Sequence, residues 1–150
     1  MAQIDGVVGV DIYIPKDLRK RLTKKKPKNT YLKLIEGSSI DNKIIDKVKS
    51  IIKGKKVFVI LDSNHTHDHV LKELREYSKF VKKGQYLICG DTIIAKQPQS
   101  KKRPREWNKN NNPMTALKVF LRNDKKFVID KKIESKLLFT NMPNGFLKRI

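Results

Sequence analysis

Residues 57–91 read VFVILDSNHTHDHVLKELREYSKFVKKGQYLICGD, and this stretch decides the fold class. Val57 to Leu61 is an unbroken, β-branched apolar run, the pattern of a parallel strand covered on both faces. The run stops at Asp62. An amphipathic helix follows, with Val70, Leu71, Leu74, Tyr77 and Val81 on one face and Gly84 as its stop. Tyr86 to Cys89 (YLIC) is the next strand, ending at Gly90-Asp91. A strand, a helix and a second strand in this order form a βα unit, whose parallel strands need such a crossover.

The same alternation extends outward. Val7 to Ile14 (VVGVDIYI) reads as a strand covered on both faces, followed by a basic loop, Lys16 to Lys28. Tyr31 to Ile35 (YLKLI) is a second strand, ending in Glu36-Gly37-Ser38-Ser39. Ile40, Ile44, Ile45, Val48, Ile51 and Ile52 then form a helical stripe, with Asp41 near its start and Gly54 just past its end. Toward the C-terminus, residues 95–112 lack an apolar period and read as a long mobile loop. Asn112-Pro113 is an N-cap and first-turn pair for a helix through Ala116, Leu117, Phe120 and Leu121. Phe127 to Ile129 and Leu137 to Thr140 read as two closing strands, with Asn141 to Gly145 as a turn before a Phe146-Leu147 tail. No linker divides the chain, so residues 1–150 are expected to form a single domain around an open α/β sheet with right-handed crossovers.

Composition narrows the class. The 150 residues hold 35 Lys+Arg against 15 Asp+Glu, a formal charge of +20. That length buries roughly two thirds of the unfolded surface, enough for one core. No apolar run approaches the ~20 residues of a membrane span, and the N-terminus lacks a signal-peptide layout, so a cytoplasmic location is expected. One cysteine excludes an intramolecular disulfide framework and a Cys-rich zinc site. The charge concentrates in Lys16 to Lys28, with eight basic residues and one acidic, and in Lys101 to Lys109, with five and one. Two readings stay open: a solvated Lys-rich surface, or a patch for nucleic acid or another anionic surface. No RRM, KH, helix-turn-helix or zinc-finger signature accompanies it.

Open α/β sheets bind ligands beyond the carboxyl ends of their strands. Asp11, Gly37-Ser38-Ser39, Asp62-Ser63-Asn64-His65 and Gly90-Asp91 occupy those ends, and a parallel sheet would gather them on one rim. The alternative is that Asp, Ser, Asn and Gly simply make turns and caps there. Asp62 and Asp91, with Asn64, are oxygen ligands suited to Mg²⁺, or else a pair of helix N-caps. His65, His67 and His69 span the strand-to-helix junction. His65 and His69, four residues apart, could share a helix face, but they do not close a zinc ligand set. His65 is the candidate base or substrate contact, the alternative being a polar helix start. Cys89, inside an apolar strand, reads as a small buried hydrophobe.

These residues resemble the cephalosporin hydroxylase / rhamnosyl O-methyltransferase family. The likeness rests on Leu61-Asp62-Ser63, His65-Thr66, His69-Val70 and Glu73-Leu74, and on Gly84 to Thr92. It continues through Pro113-Met114-Thr115-Ala116 before Phe120-Leu121, Phe127 to Asp130, and Asn141 to Arg149. It covers nearly the whole chain. The resemblance implies a class I S-adenosylmethionine-dependent methyltransferase with a Rossmann-like fold: a three-layer α/β sandwich, mostly parallel, with an antiparallel C-terminal hairpin. It implies that Asp11 holds the cofactor ribose hydroxyls and that Gly37, Ser38 and Ser39 border the adenine. Asp62 and Asp91 would be metal ligands with Asn64 close by, and His65 would deprotonate or orient a hydroxyl of a sugar or small metabolite. Gly90 stands where the family usually offers a Glu. The chain also begins at what would be the second family strand, so the resemblance implies an N-terminally truncated member lacking the first strand and its Gly-rich loop. Its activity alone would then be impaired, and a separate segment or an oligomeric partner would supply that strand. The remaining alternative is a non-catalytic remnant that binds nucleic acid or an anionic surface through its basic loops.

Overall fold

A parallel two-stranded ladder organises the N-terminal part of the chain. In the computed structural model, which describes residues 4–98 and 102–150, the chain falls into two compact units, Met1–Ile51 and Ile52–Ile150. The first unit runs β1 (Gly6–Asp11), α1 (Lys16–Lys25), β2 (Tyr31–Glu36) and α2 (Asn42–Ile51). β1 and β2 pair in parallel from Gly6↔Tyr31 to Asp11↔Glu36, so their carboxyl ends stand level.

The stretch expected as a basic loop is a helix over its first ten residues. Lys, Arg and Leu are good helix formers, and Pro15 leads in with a fixed φ. Asp17 in the first turn and Lys24 and Lys25 in the last match the helix dipole. Arg19 Nη1 donates to the Leu34 carbonyl at 3.0 Å, tying α1 to β2. The two-faced burial expected of residues 7–14 is not found: the strand ends at Asp11, and Val7, Ile12 and Tyr13 are exposed. α2 behaves as its stripe requires, with Ile45 and Val48 buried. Asp41 caps it, Oδ1 accepting from the Lys43 N–H at 2.8 Å.

The second unit contains β3 (Val59–Leu61), α3 (His67–Tyr77), β4 (Tyr86–Cys89), α4 (Pro113–Asn123), β5 (Phe127–Ile129), α5 (Lys131–Glu134) and β6 (Phe146–Arg149). Its sheet has the order β3-β4-β6-β5, with β3 parallel to β4 and the β4/β6 and β6/β5 pairs antiparallel. Leu74, Leu87, Leu117 and Leu147 are fully buried and form its core. α3 buries Val70, Leu71, Leu74 and Tyr77, as the sequence spacing implies. Asn112 caps α4 through a capping box with Thr115, and Pro113 opens its first turn.

Three expectations are corrected here. Val57 to Leu61 is covered on one face only: Phe58 and Ile60, on the other face, are each 57% exposed. Leu137 to Thr140 is not a strand. The inner position goes to Phe146–Arg149, which satisfies ladder bonds on both sides, while Leu137, Leu138 and Phe139 are exposed. Finally, the four leading strands form two ladders rather than one. Among the described residues, β1 and β3 each pair along a single edge.

Candidate functional site

In the second unit the β3/β4 register ends at Leu61↔Cys89, so the residues that follow each strand emerge at the same end. Gly90 donates its N–H to the Leu61 carbonyl at 2.8 Å. A Cβ on Gly90 would lie 2.7 Å from that oxygen, so the strands approach too closely for a side chain. A glutamate therefore cannot stand there without moving β3.

Asp91 takes a left-handed conformation, φ 47°, and its carboxylate makes no capping bond to the short 3-10 helix that follows. Asn141 Nδ2 instead donates to Asp91 Oδ1 at 2.8 Å. Oδ2 faces His65 Nε2 at 3.3 Å, and Asp62 Oδ1 lies 3.5 Å from the same nitrogen. Ligand atoms of Asp62, His65 and Asp91 all lie within 4.8 Å of one another. His65 Nε2 is buried yet has no hydrogen-bond partner. The two carboxylates are its near polar neighbours, at ion-pair distance.

Asn64 is placed differently. Its Oδ1 accepts from the Thr66 N–H at 2.8 Å, a local turn bond. The three histidines also separate. α3 begins at His67, so His65 precedes the helix and the expected shared face with His69 does not form. His67 Nδ1 meets Thr115 Oγ1 at 2.8 Å, and His69 Nε2 lies 3.7 Å from Glu73 Oε1.

Two neighbours of the cluster escape sequence reasoning. Glu73 is 2% exposed and accepts from Ser63 Oγ at 2.8 Å, bracing the turn between Asp62 and His65. The available signal is an acid on the apolar stripe of α3, between Val70 and Leu74. Trp107 lies 4.9 Å from the His65 ring in a T-shaped contact, with the Arg105 guanidinium 5.1 Å from its ring centre. It is the chain's single tryptophan, set in a polar stretch, and that placement is the signal. Lys101, the first residue of that basic stretch, lies outside the described residues. Cys89 is excluded as a nucleophile: burial, helped by the charge of Glu73, pushes its thiol up to about 12.

In the first unit, Asp11 ends β1 and its Oδ1 accepts from the Tyr13 N–H at 3.2 Å. Gly37 donates to the Asp11 carbonyl at 2.8 Å. Its φ of 147° favours glycine, and a would-be Cβ would lie 2.6 Å from Ile44 Cδ1, which would have to shift. Ser38 accepts from the Asp41 N–H at 3.0 Å, and Ser39 follows in the same turn. Asp11, Gly37, Ser38 and Ser39 thus share the carboxyl end of this ladder.

A family model described as Rhamnosyl O-methyltransferase/CmcI matches residues 1–150. The chain belongs to that family. Rhamnosyl O-methyltransferases of Mycobacterium bovis and Mycobacterium tuberculosis are each 33% identical to it over 121 residues, covering 77% of this chain and 46% of theirs. The chain therefore spans about half the length of the curated relatives it matches. With parallel pairs β1/β2 and β3/β4 and a C-terminal antiparallel pair, its architecture is the Rossmann-like methyltransferase fold. No helix among the described residues is long and apolar enough to cross a membrane.

For this rhamnosyl O-methyltransferase relative, the donor set at Asp62, His65 and Asp91 suits a divalent cation. Two carboxylate oxygens and one unpartnered imidazole nitrogen converge, leaving other coordination positions to water or an acceptor oxygen.

Proposed function

We propose that this chain is an S-adenosylmethionine-dependent O-methyltransferase domain, a single domain built from both units, acting on a hydroxyl of a sugar or small metabolite with help from Mg²⁺. A rhamnosyl hydroxyl is the acceptor class suggested by the names of its relatives. The carrying observation is the convergence of the Asp62 and Asp91 carboxylates on the buried His65 Nε2.

In this reading the first unit serves the cofactor. Asp11 accepts from ribose hydroxyls, and Gly37, Ser38 and Ser39 border the adenine. Asp62 and Asp91 hold the cation, with Asn64 shaping the turn between them and His65. When bound, S-adenosylmethionine supplies an electrophilic methyl group and Mg²⁺ supplies positive charge that acidifies a nearby hydroxyl. His65, the catalytic candidate, orients the acceptor hydroxyl next to that cation through the imidazole held between the two carboxylates. Ser63 and Glu73 hold the turn that presents His65.

The test is transfer of a labelled methyl group from S-adenosylmethionine to a rhamnoside, with Mg²⁺ and with a chelator, alongside calorimetry of cofactor binding. Cation-dependent transfer, abolished in Asp62→Ala, is expected. Cofactor binding and transfer that persist in the presence of the chelator and in Asp62→Ala contradict the metal assignment. No cofactor binding at all contradicts the methyltransferase reading.

A further inference from the structure

Residues 95–112, which the sequence predicts to be a long mobile loop, are tightly tied over the described residues from Glu106 to Asn112. Asn108 and Asn111 form a two-way backbone bridge, N–H to carbonyl at 2.9 and 3.2 Å. Asn111 Nδ2 donates to the Glu106 carbonyl at 3.0 Å, one residue before Trp107. Asn112, wholly buried, donates from Nδ2 to the carbonyls of Asn108 and Lys109, both at 2.8 Å, while capping α4. The stretch is also fastened to the His65 turn, because Asn111 Oδ1 accepts from the His67 N–H at 2.6 Å. The asparagine run is a buckle, and it holds Trp107 against the imidazole whose Nε2 sits between two carboxylates.

We infer that Trp107 is a positioning residue of this site, its indole fixing the His65 ring so that Nε2 stays between the Asp62 and Asp91 carboxylates. This rests on the reading of that cluster as a cation and acceptor site. Edge-to-face contact at 4.9 Å and 66° restrains a ring's tilt in a way aliphatic packing does not. Arg105, at 5.1 Å from the indole centre, braces it from outside. The His65 side chain is only 16% exposed, while Asp62 beside it is 59% exposed, so the imidazole is the sheltered member of the donor set. Groups that orient a ligating imidazole without touching the ion set its affinity.

The test measures Mn²⁺ affinity by calorimetry for wild type, Trp107→Ala, Trp107→Phe and Trp107→Leu, with thermal unfolding as the fold control. Histidine ring-proton spectra of the metal-free proteins, assigned with His65→Gln, form a second arm. Trp107→Ala is expected to bind Mn²⁺ about tenfold or more weakly, with Trp107→Phe restoring most of the loss. In the spectra, the His65 signals should move while those of His67 and His69 stay. A folded Trp107→Ala with wild-type affinity overturns the inference. If the alanine variant does not fold, Trp107→Leu takes its place, and undiminished affinity there is equally fatal. A wild type that takes up no Mn²⁺ defeats the cation reading by itself. The spectra then decide Trp107: displaced His65 signals support it, and unmoved ones refute it.

Discussion

The two strand-end rims differ in how they are made. At the β1/β2 end, the polar groups are held by neighbours close in sequence or by the ladder itself, except Glu36, whose Oε2 accepts from the Ile14 N–H at 2.9 Å. Asp11 bonds Tyr13, Ser38 bonds Asp41, and Gly37 closes onto the Asp11 carbonyl. At the β3/β4 end, the groups are brought together from distant positions. Asp91 is oriented by Asn141, fifty residues on, His65 is covered by Trp107, and Ser63 is braced by Glu73 inside a helix. The first rim offers backbone shape and two exposed carboxylates, Asp11 and Glu36, suited to a flexible organic ligand's hydroxyls. The second offers preset side-chain donors, suited to an ion and a proton. Preset geometry of that kind comes from tertiary packing, not from local turn chemistry.

That contrast breaks most readily at the acids. Asp62→Ala or Asp91→Ala should weaken Mn²⁺ binding by about a hundredfold, while Asp11→Asn leaves it unchanged. Equal losses in all three, measured by calorimetry, would erase the distinction between the rims. Gly90→Glu, which adds an acid beside Asp91, should destabilise the fold by about 1–3 kcal/mol in urea titration, because its Cβ meets the Leu61 carbonyl at 2.7 Å. Tighter Mn²⁺ binding without that cost would contradict the packing of this rim. Asn112→Ala removes the α4 cap and part of the buckle that carries Trp107. A loss of about 1–2 kcal/mol is expected by thermal unfolding.

The smallest effect lies at the other end of β4. Tyr86 Oη donates to Asp130 Oδ2 at 2.6 Å. That bond holds the Asp130 carboxyl below its usual range and pushes the Tyr86 phenol up. A lowered carboxyl contributes stability above its unfolded value of about 3.9, and the contribution fades as pH falls through the folded value. A raised phenol contributes below about 10 and loses that as pH rises. Tyr86→Phe should flatten both limbs slightly in a melting-temperature profile, without touching Mn²⁺ binding. A change in Mn²⁺ affinity there would show that the rim is not insulated from the rest of β4.

Much of this was legible in the chain. Period located α2, α3 and α4, because each buries one stripe, and capping marked the starts of α2 at Asp41 and of α4 at Asn112. Asp62, Asp91 and His65 were nameable because they end parallel strands. Asn64 differs from its neighbours for a local reason: its amide oxygen accepts from a backbone N–H two residues on. α1 was missed because its apolar stripe is thin and a basic run reads as solvated loop. The last strand was assigned to Leu137 to Thr140 on apolar content, yet pairing with two neighbours went to Phe146–Arg149. Trp107 could be seen but not placed, since its contact with His65 crosses 42 positions through an asparagine buckle that carries no apolar period.

The most direct measurement is anomalous diffraction from crystals soaked in Mn²⁺. A single strong peak bonded to Asp62 and Asp91 oxygens, within reach of His65 Nε2, is the expected result. A peak elsewhere with this cluster empty, or the His65 ring turned away from both carboxylates, would contradict the assignment of the second rim.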